Sequence, residues 1–204
     1  IYGKNDLRGV VSVEFEDGAA KCFINDGSTV EIECAHWALY NSQVDPECIK
    51  LRGNGHYQYA KKYNNMNDLK KDYGKNVYQK GADGFILWNP KEQFMVRNGV
   101  TYYKGLKPSD VSVLSFDLET TSLKPSDNDK VLLISNTFRD RHGVITKRLF
   151  SYDDYNSTKE MIYAWCSFVN TISPDIICGH NILGFDLPYL SYYVQHLPIG
   201  RGGQ

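Results

Sequence analysis

The chain has 204 residues, of which 42% are hydrophobic and 23% charged, and its formal net charge at pH 7 is −1. This composition is typical of a folded globular protein with one large or two small domains, and it excludes general disorder. No apolar run approaches the roughly 20 residues that a membrane-spanning helix needs, and charges at Lys4, Asp6 and Arg8 interrupt any secretory signal pattern.

The first half of the chain predicts a small β-rich domain. Residues 7–33 alternate as short strands do, with hairpin signals at Asp17-Gly18 and Asp26-Gly27. Segments 84–90 and 92–103 predict two more strands, with Asn98-Gly99 as another turn. The Gly, Pro and polar residues of 104–110 then predict a domain boundary. We therefore expect domains at residues 1–107 and 108–204.

Between residues 50 and 80 the chain is locally basic and partly helical. This stretch contains eight Lys and Arg residues and only two acids, Asp68 and Asp72, so its local charge is 8 − 2 = +6. Five tyrosines are interleaved with the basic residues. Phosphates and bases of a single nucleic-acid strand favour such a surface. The alternative is a solvated helical face with tyrosines packed beneath it.

The second half is more regular. Strands are predicted at about 111–118, 131–138 and 144–150. Ser157 and Glu160 form a capping box before a helix whose apolar face runs from Met161 to Ile172. Pro174 ends this helix, a short buried strand follows at 176–178, and a final helix has Pro188 near its first turn. The order β-β-β-α-β-α predicts an α/β fold, a sheet with helices packed on it.

Five cysteines are spread along the chain without a C-x-x-C pair: Cys22, Cys34, Cys48, Cys166 and Cys178. An odd and scattered set is typical of reduced thiols rather than of a disulfide framework or a zinc site. We therefore expect a cytoplasmic protein.

Two acids alternate within the first strand of the second half. Asp117 and Glu119 share one face of that strand, while Phe116 and Leu118 share the other. Like charges this close are costly unless a cation offsets them, although both acids could also lie in water at a strand end.

Asp186 is a third acid, and it follows the short strand at the start of the last helix. It could simply cap that helix. If the two strands are neighbours, however, all three acids converge on a site that suits Mg²⁺ or Mn²⁺.

The two acidic segments carry a family resemblance. SFDLETT (115–121) resembles the first exonuclease motif of the proofreading domain of family B DNA polymerases, and GHNILGFDLPYL (179–190) resembles the second. The resemblance covers essentially the whole chain and is strongest to phage or archaeal-type members. It implies an incomplete ribonuclease H-like mixed-sheet exonuclease domain, preceded by a smaller β-rich amino-terminal polymerase domain.

The resemblance also implies roles for particular residues. Asp117 and Glu119 would bind the catalytic metal and Asp186 mainly the second ion of a Mg²⁺ or Mn²⁺ pair. Asn181, Phe185 and Thr120 would hold the 3′ end of a single strand. The alternatives are a turn former for Asn181, a core residue for Phe185 and a strand residue for Thr120. His180 matches no family role and is expected to be structural.

One departure from the family pattern bears on activity. A third motif should supply a tyrosine and a fourth acid, but no Asp or Glu follows Asp186. We expect an amino-terminal fragment or one half of a split polymerase, weak or inactive alone, in a bacterial or phage-infected cell. Its partners would be the 3′ end of single-stranded DNA, primer-template DNA and the remaining polymerase polypeptide, and no membrane.

Three functions follow as hypotheses. The first is part of a proofreading 3′–5′ exonuclease with a two-metal site. The second is a non-catalytic module that binds single-stranded DNA or a partner chain. The third is another two-metal nuclease of the ribonuclease H-like fold, which the segments quoted above disfavour.

Overall fold

The computed structural model of the chain describes residues 4–16 and 18–200. The chain divides into two compact units, Ile1–Lys104 and Gly105–Gln204, within the stretch where the sequence predicts a boundary. The identity of the first unit as a polymerase amino-terminal domain stays a prediction. No helix in the described part of the chain is both long enough and apolar enough to cross a membrane.

The amino-terminal unit begins with a three-stranded antiparallel sheet. Strands β1 (Val10–Glu16), β2 (Ala19–Ile24) and β3 (Thr29–Glu33) lie in chain order, which confirms the strands predicted over residues 7–33. Gly27 turns the second hairpin at a φ of 92°, which glycine adopts at little cost. Asp17, in the first predicted turn, lies outside the described residues.

A second sheet of this unit has the strand order β5-β6-β4-β7. Its strands are β4 (His36–Tyr40), β5 (Ile49–Lys50), β6 (Tyr59–Tyr63) and β7 (Gly84–Phe85). Helix α1 (Met66–Gly74) continues into a π-helical turn, Lys75–Gln79, and its buried face packs on the sheet. The basic stretch is therefore partly strand and partly helix.

The prediction of a strand over residues 92–103 is wrong, because Pro90–Asn98 forms helix α2. The Asn89 side chain caps its first turn, and Pro90 has the fixed φ that suits a first helical position. Gly99 ends the helix at a φ of 68°, so Asn98-Gly99 is a helix terminus and not a hairpin turn. Buried Phe94 then packs against the first sheet. Of the strand predicted at 84–90, only β7 forms.

The carboxy-terminal unit contains one mixed sheet of order β10-β9-β8-β11. Strands β8 (Val113–Thr120), β9 (Val131–Arg139) and β10 (Ile145–Ser151) are antiparallel neighbours. Strand β11 (Ile176–Cys178) runs parallel to β8, with Cys178 opposite Ser115. The four predicted strands are confirmed, and so is the mixed α/β architecture.

Helices α3 (Thr158–Ile172) and α4 (Asp186–Tyr193) form a shared core with one face of this sheet. Ser157 caps α3 by accepting a hydrogen bond from the Glu160 amide at 3.1 Å, as predicted. The Glu160 carboxylate instead accepts from the Asn156 amide, also at 3.1 Å. The opposite face of the sheet carries Asp117 and Glu119.

A buried polar pair joins α3 to the sheet. The Trp165 indole nitrogen donates to the Asn136 side-chain oxygen at 2.9 Å, and both residues are at least 95% buried. The Asn136 amide nitrogen donates to the Ile134 carbonyl at 3.0 Å and to the Arg148 carbonyl at 3.3 Å. The Asn136 side chain therefore forms hydrogen bonds with groups on two strands and one helix.

We predict that Asn136→Ala lowers the free energy of unfolding by about 2 kcal/mol, because it leaves the Trp165 N–H without a partner inside the core. Urea denaturation followed by tryptophan fluorescence measures this change. Thr137→Ala, at the neighbouring exposed position, is the control and should shift the midpoint much less. Equal shifts in both variants would contradict a special role for the buried pair.

Candidate active site

The end of strand β8 presents two acids to solvent. Along Val113–Thr120, alternate side chains are buried and exposed, and Asp117 and Glu119 fall on the exposed face. Leu118, between them, is buried in the core. The two acids thus occupy the face opposite the helices, about 7 Å apart along the strand from the rise of a β-strand.

Asp186 approaches this strand from the start of helix α4. Its side chain is only 1% exposed, and its Oδ1 accepts a hydrogen bond from the Leu118 amide at 3.2 Å. Burial raises the pKa of the Asp186 carboxyl, the charge of Asp117 raises it further, and hydrogen bonds from the Asp186 and Leu118 amides oppose both effects. Asp186 and Asp117 are therefore brought together, as a shared metal site would require.

Glu119 is not brought into a third ligand position. Over residues 4–16 and 18–200, no three His, Cys, Asp or Glu side chains gather into a cluster that could hold a metal ion. The assignment of Asp117, Glu119 and Asp186 as metal ligands stays a prediction. The charge of His180 opposes the rise in the pKa of Asp186 but is the smallest of the effects on it, and His180 itself is exposed.

Gly179 allows the loop before α4 to cross the end of β8. A β-carbon at this position would lie 2.4 Å from the Phe116 carbonyl oxygen and 2.5 Å from the Ile182 side chain. Only a residue without a side chain permits this approach. Because β11 is parallel to β8, the carboxyl ends of both strands meet at this loop. Sequence reasoning missed this glycine, although its place directly after a short strand is a usable signal.

Asn181 forms a tight turn in the same loop. It adopts a φ of 53°, and its carbonyl oxygen accepts from the Gly184 and Phe185 amides, both at 2.9 Å. Its side chain lies against Gly184, where a β-carbon would be 2.4 Å from the Asn181 Oδ1. Asn181 thus forms a turn, and the residue is exposed to solvent.

The other two predicted substrate residues have local partners. Phe185 is half-buried, and its ring centroid lies 5.4 Å from that of Tyr189 at the edge of the core. The Thr120 hydroxyl donates to the Ser122 carbonyl at 2.7 Å. Both residues adjoin the carboxylates, and neither contact assigns a substrate role.

The loop after β8 is anchored to helix α4 by two tyrosines. The Tyr192 hydroxyl donates to Asp127 at 2.9 Å, and the Tyr193 hydroxyl donates to the Asp129 carbonyl at 2.9 Å. No motif in the sequence distinguishes either tyrosine. The residues of each pair are 65 and 64 positions apart, so no local pattern could indicate the contact.

Comparison with known families identifies the domain that contains these residues. Residues 91–199 match the model of the DNA polymerase family B exonuclease domain. The chain belongs to this family. The match covers the whole mixed sheet, α3, α4 and the three acids, and it also reaches back into the amino-terminal unit at α2. The prediction of a family B exonuclease region, made from its two motifs, is confirmed.

Relatives of this exonuclease domain include catalytic subunits of DNA polymerase delta. The subunit of Dictyostelium discoideum is 28% identical over 109 residues, which cover 45% of this chain and 10% of that protein. The subunit of Schizosaccharomyces pombe is 40% identical over 102 residues, covering 41% and 9% respectively. The chain therefore spans about a tenth of the length of the curated relatives it matches.

The fold is also found in a solved polymerase. The family B DNA polymerase of the archaeon Pyrobaculum calidifontis aligns with 94% of this chain and 33% of its own, with a TM-score of 0.65 and 18% identity. At this identity the likeness shows the fold alone. The structural alignment includes the amino-terminal unit, because it covers nearly the whole chain.

We predict that Gly179→Ala lowers the free energy of unfolding by about 2 kcal/mol, because the new methyl group must displace the loop from the Phe116 carbonyl. Thermal or urea unfolding of the two proteins measures the difference. Gly55→Ala is the control, since the nearest atom to its added carbon would be 3.8 Å away. Equal stability of Gly179→Ala and the unchanged chain would contradict the close approach.

Proposed function

We propose that the chain is part of a proofreading 3′–5′ exonuclease of a DNA polymerase. In this role it removes 3′-terminal nucleotides from single-stranded DNA by hydrolysis. The observation that carries the proposal is the convergence of buried Asp186 with Asp117 at the end of β8, within a domain of the family B exonuclease family. DNA replication is the corresponding process.

The acids of the site fit a hard divalent cation. All three candidate ligands are carboxylates, whose oxygens Mg²⁺ and Mn²⁺ prefer. The proximity of Asp117 and the burial of Asp186 make the ionised pair costly, and a bound cation would offset that cost. Asp117 and Asp186 would hold the ion. Glu119 lies on the same strand face as Asp117 and would reach the ion only after its side chain changes position. When bound, such ions lower the pKa of water and neutralise charge on a phosphodiester.

The neighbouring loops would hold the strand end. Asn181 offers an exposed amide for hydrogen bonds to the terminal nucleotide, and Phe185 offers part of a ring for packing. Thr120 would contribute its backbone, because its hydroxyl already donates to Ser122. A primer-template duplex would supply the frayed 3′ end, and the remaining polymerase polypeptide would be the protein partner.

A second candidate function is binding without cleavage. No three-ligand cluster forms in the described part of the chain, and no acid follows Asp186 in the sequence. A chain with two converging carboxylates would bind a divalent cation weakly and position a strand without hydrolysing it at a useful rate. Metal binding and cleavage must therefore be measured separately.

We predict slow release of mononucleotides from a 3′-labelled single strand in Mn²⁺, reduced at least about 100-fold in Asp117→Asn, because this change removes a ligand charge while keeping the side-chain shape. Asp153→Asn removes an equal charge from an exposed position outside the site and should retain the rate. Gel analysis of the products measures cleavage, and a duplicate substrate labelled at the 5′ end shows its direction.

Titration with Mn²⁺, followed by the relaxation of water protons, separates the two candidate functions. Cleavage that depends on Asp117 supports the exonuclease. Mn²⁺ binding that depends on Asp117, without cleavage, favours the binding module for the isolated chain. If Asp117→Asn retains both Mn²⁺ binding and cleavage, the assigned site is wrong.

A further inference from the structure

A cavity of about 870 Å³ lies in the amino-terminal unit, between strand β6 and helix α1 with its π-helical extension. Four of its lining residues are lysines: Lys61, Lys62, Lys71 and Lys75. Asn64 and Gln79 add two amide side chains to the lining. The exonuclease site uses none of these residues.

Lys61 is engaged by acids within the fold. Its ammonium group pairs with Asp45, with Asp72 at 3.0 Å and with Glu47 at 3.6 Å, and its side chain is only 12% exposed. The Tyr63 hydroxyl also donates to Asp72 at 2.6 Å. Burial would raise the pKa of Asp72, but the hydrogen bonds from Tyr63 and Lys61 lower it, so this carboxylate stays ionised and paired.

The other three lysines differ from Lys61. Lys62, Lys71 and Lys75 are exposed, and none has an ion pair within 4.0 Å among the described residues. Lys71 and Lys75 are four residues apart and therefore share one face of the helical segment. The remaining acid of the lining, Asp68, accepts from the Asn65 side chain at the helix start at 2.7 Å. The cavity thus has three cationic groups available to an anion.

Exposed aromatic rings accompany this charge in the same unit. Tyr78 is next in the chain to the lining residue Gln79, and its side chain is 76% exposed. Tyr57 stacks on Phe85 with ring centroids 5.9 Å apart, and Phe85 is 42% exposed. Such rings contribute little to a core, whereas they suit the stacking of unpaired bases. Of these rings, Tyr78 adjoins the cavity along the chain, and it could stack on a base that follows a bound phosphate, which a simple inorganic anion lacks.

We propose that this cavity binds the phosphate groups of a single nucleic-acid strand through Lys62, Lys71 and Lys75. The inference rests on the proposed single-stranded substrate, because it assigns that strand a contact outside the exonuclease site. Lysine ammonium groups neutralise successive phosphates, and the amides of Asn64 and Gln79 can donate to their oxygens. Free nucleotides carry the same phosphate chemistry, so the test must separate the two sources.

The experiment measures binding of a fluorescent oligothymidylate to the full chain by anisotropy, in EDTA and over a series of salt concentrations. The variant Lys62→Gln/Lys71→Gln/Lys75→Gln removes the cavity charges. The control Lys4→Gln/Lys21→Gln/Lys91→Gln removes three exposed lysines of the same unit that lie outside the basic stretch and do not line the cavity. Circular dichroism establishes that both variants are folded. EDTA prevents metal-dependent hydrolysis, so failure of catalysis and failure of this inference are distinguishable.

We expect the cavity variant to bind the oligothymidylate at least about tenfold more weakly at low salt. The slope of the logarithm of the binding constant against the logarithm of the salt concentration should decrease in magnitude by about 2, because three phosphate contacts with a single strand are lost. The control should bind within about twofold of the unchanged chain. Equal losses in both variants, or no loss in the cavity variant, would overturn the proposal. If micromolar deoxynucleoside triphosphate displaces the oligothymidylate, the proposal of a bound strand is wrong, and the cavity binds free nucleotides instead.

Discussion

The hydrogen bond from the Leu118 amide to the buried Asp186 carboxylate joins the start of α4 to the end of β8. The site depends on this contact, because it fixes one acid beside the strand that carries the other two. It forms only because β11 pairs in parallel with β8 and Gly179 lets the connecting loop pass over the Phe116 carbonyl. The core beneath, built around Trp165 and Phe116, holds both elements in place.

The burial of Asp186 and the nearby charge of Asp117 both raise the pKa of the Asp186 carboxyl. An acid that is 1% exposed and close to Asp117 is expensive to ionise, and two backbone amides compensate only part of that cost. The loop beyond β8 is in turn held by Tyr192 and Tyr193, so both loops beside the acids are restrained by α4 or β8.

Charge is distributed unevenly along the chain, although the net charge is only −1. Asp186 and Asp117 of the exonuclease domain approach each other at the end of β8, whereas four lysines of the amino-terminal unit line a cavity. Lys61 pairs with Asp45, Glu47 and Asp72, and the charge of Lys75 also lowers the pKa of Asp72. The net charge of the whole chain therefore says little about the charge of any one surface.

The sequence by itself determined the alternation of β8, the capped helix α3 and the two acidic motifs, because each depends on residues close together in the chain. It failed at residues 92–103, where Asn98-Gly99 suits a hairpin and a helix end equally well and packing of Phe94 decided for the helix. Only the tertiary structure decided that Asp186 meets β8 and that Tyr192 and Tyr193 hold the loop. Those partners are 64 to 68 residues apart, and no local physical preference links them.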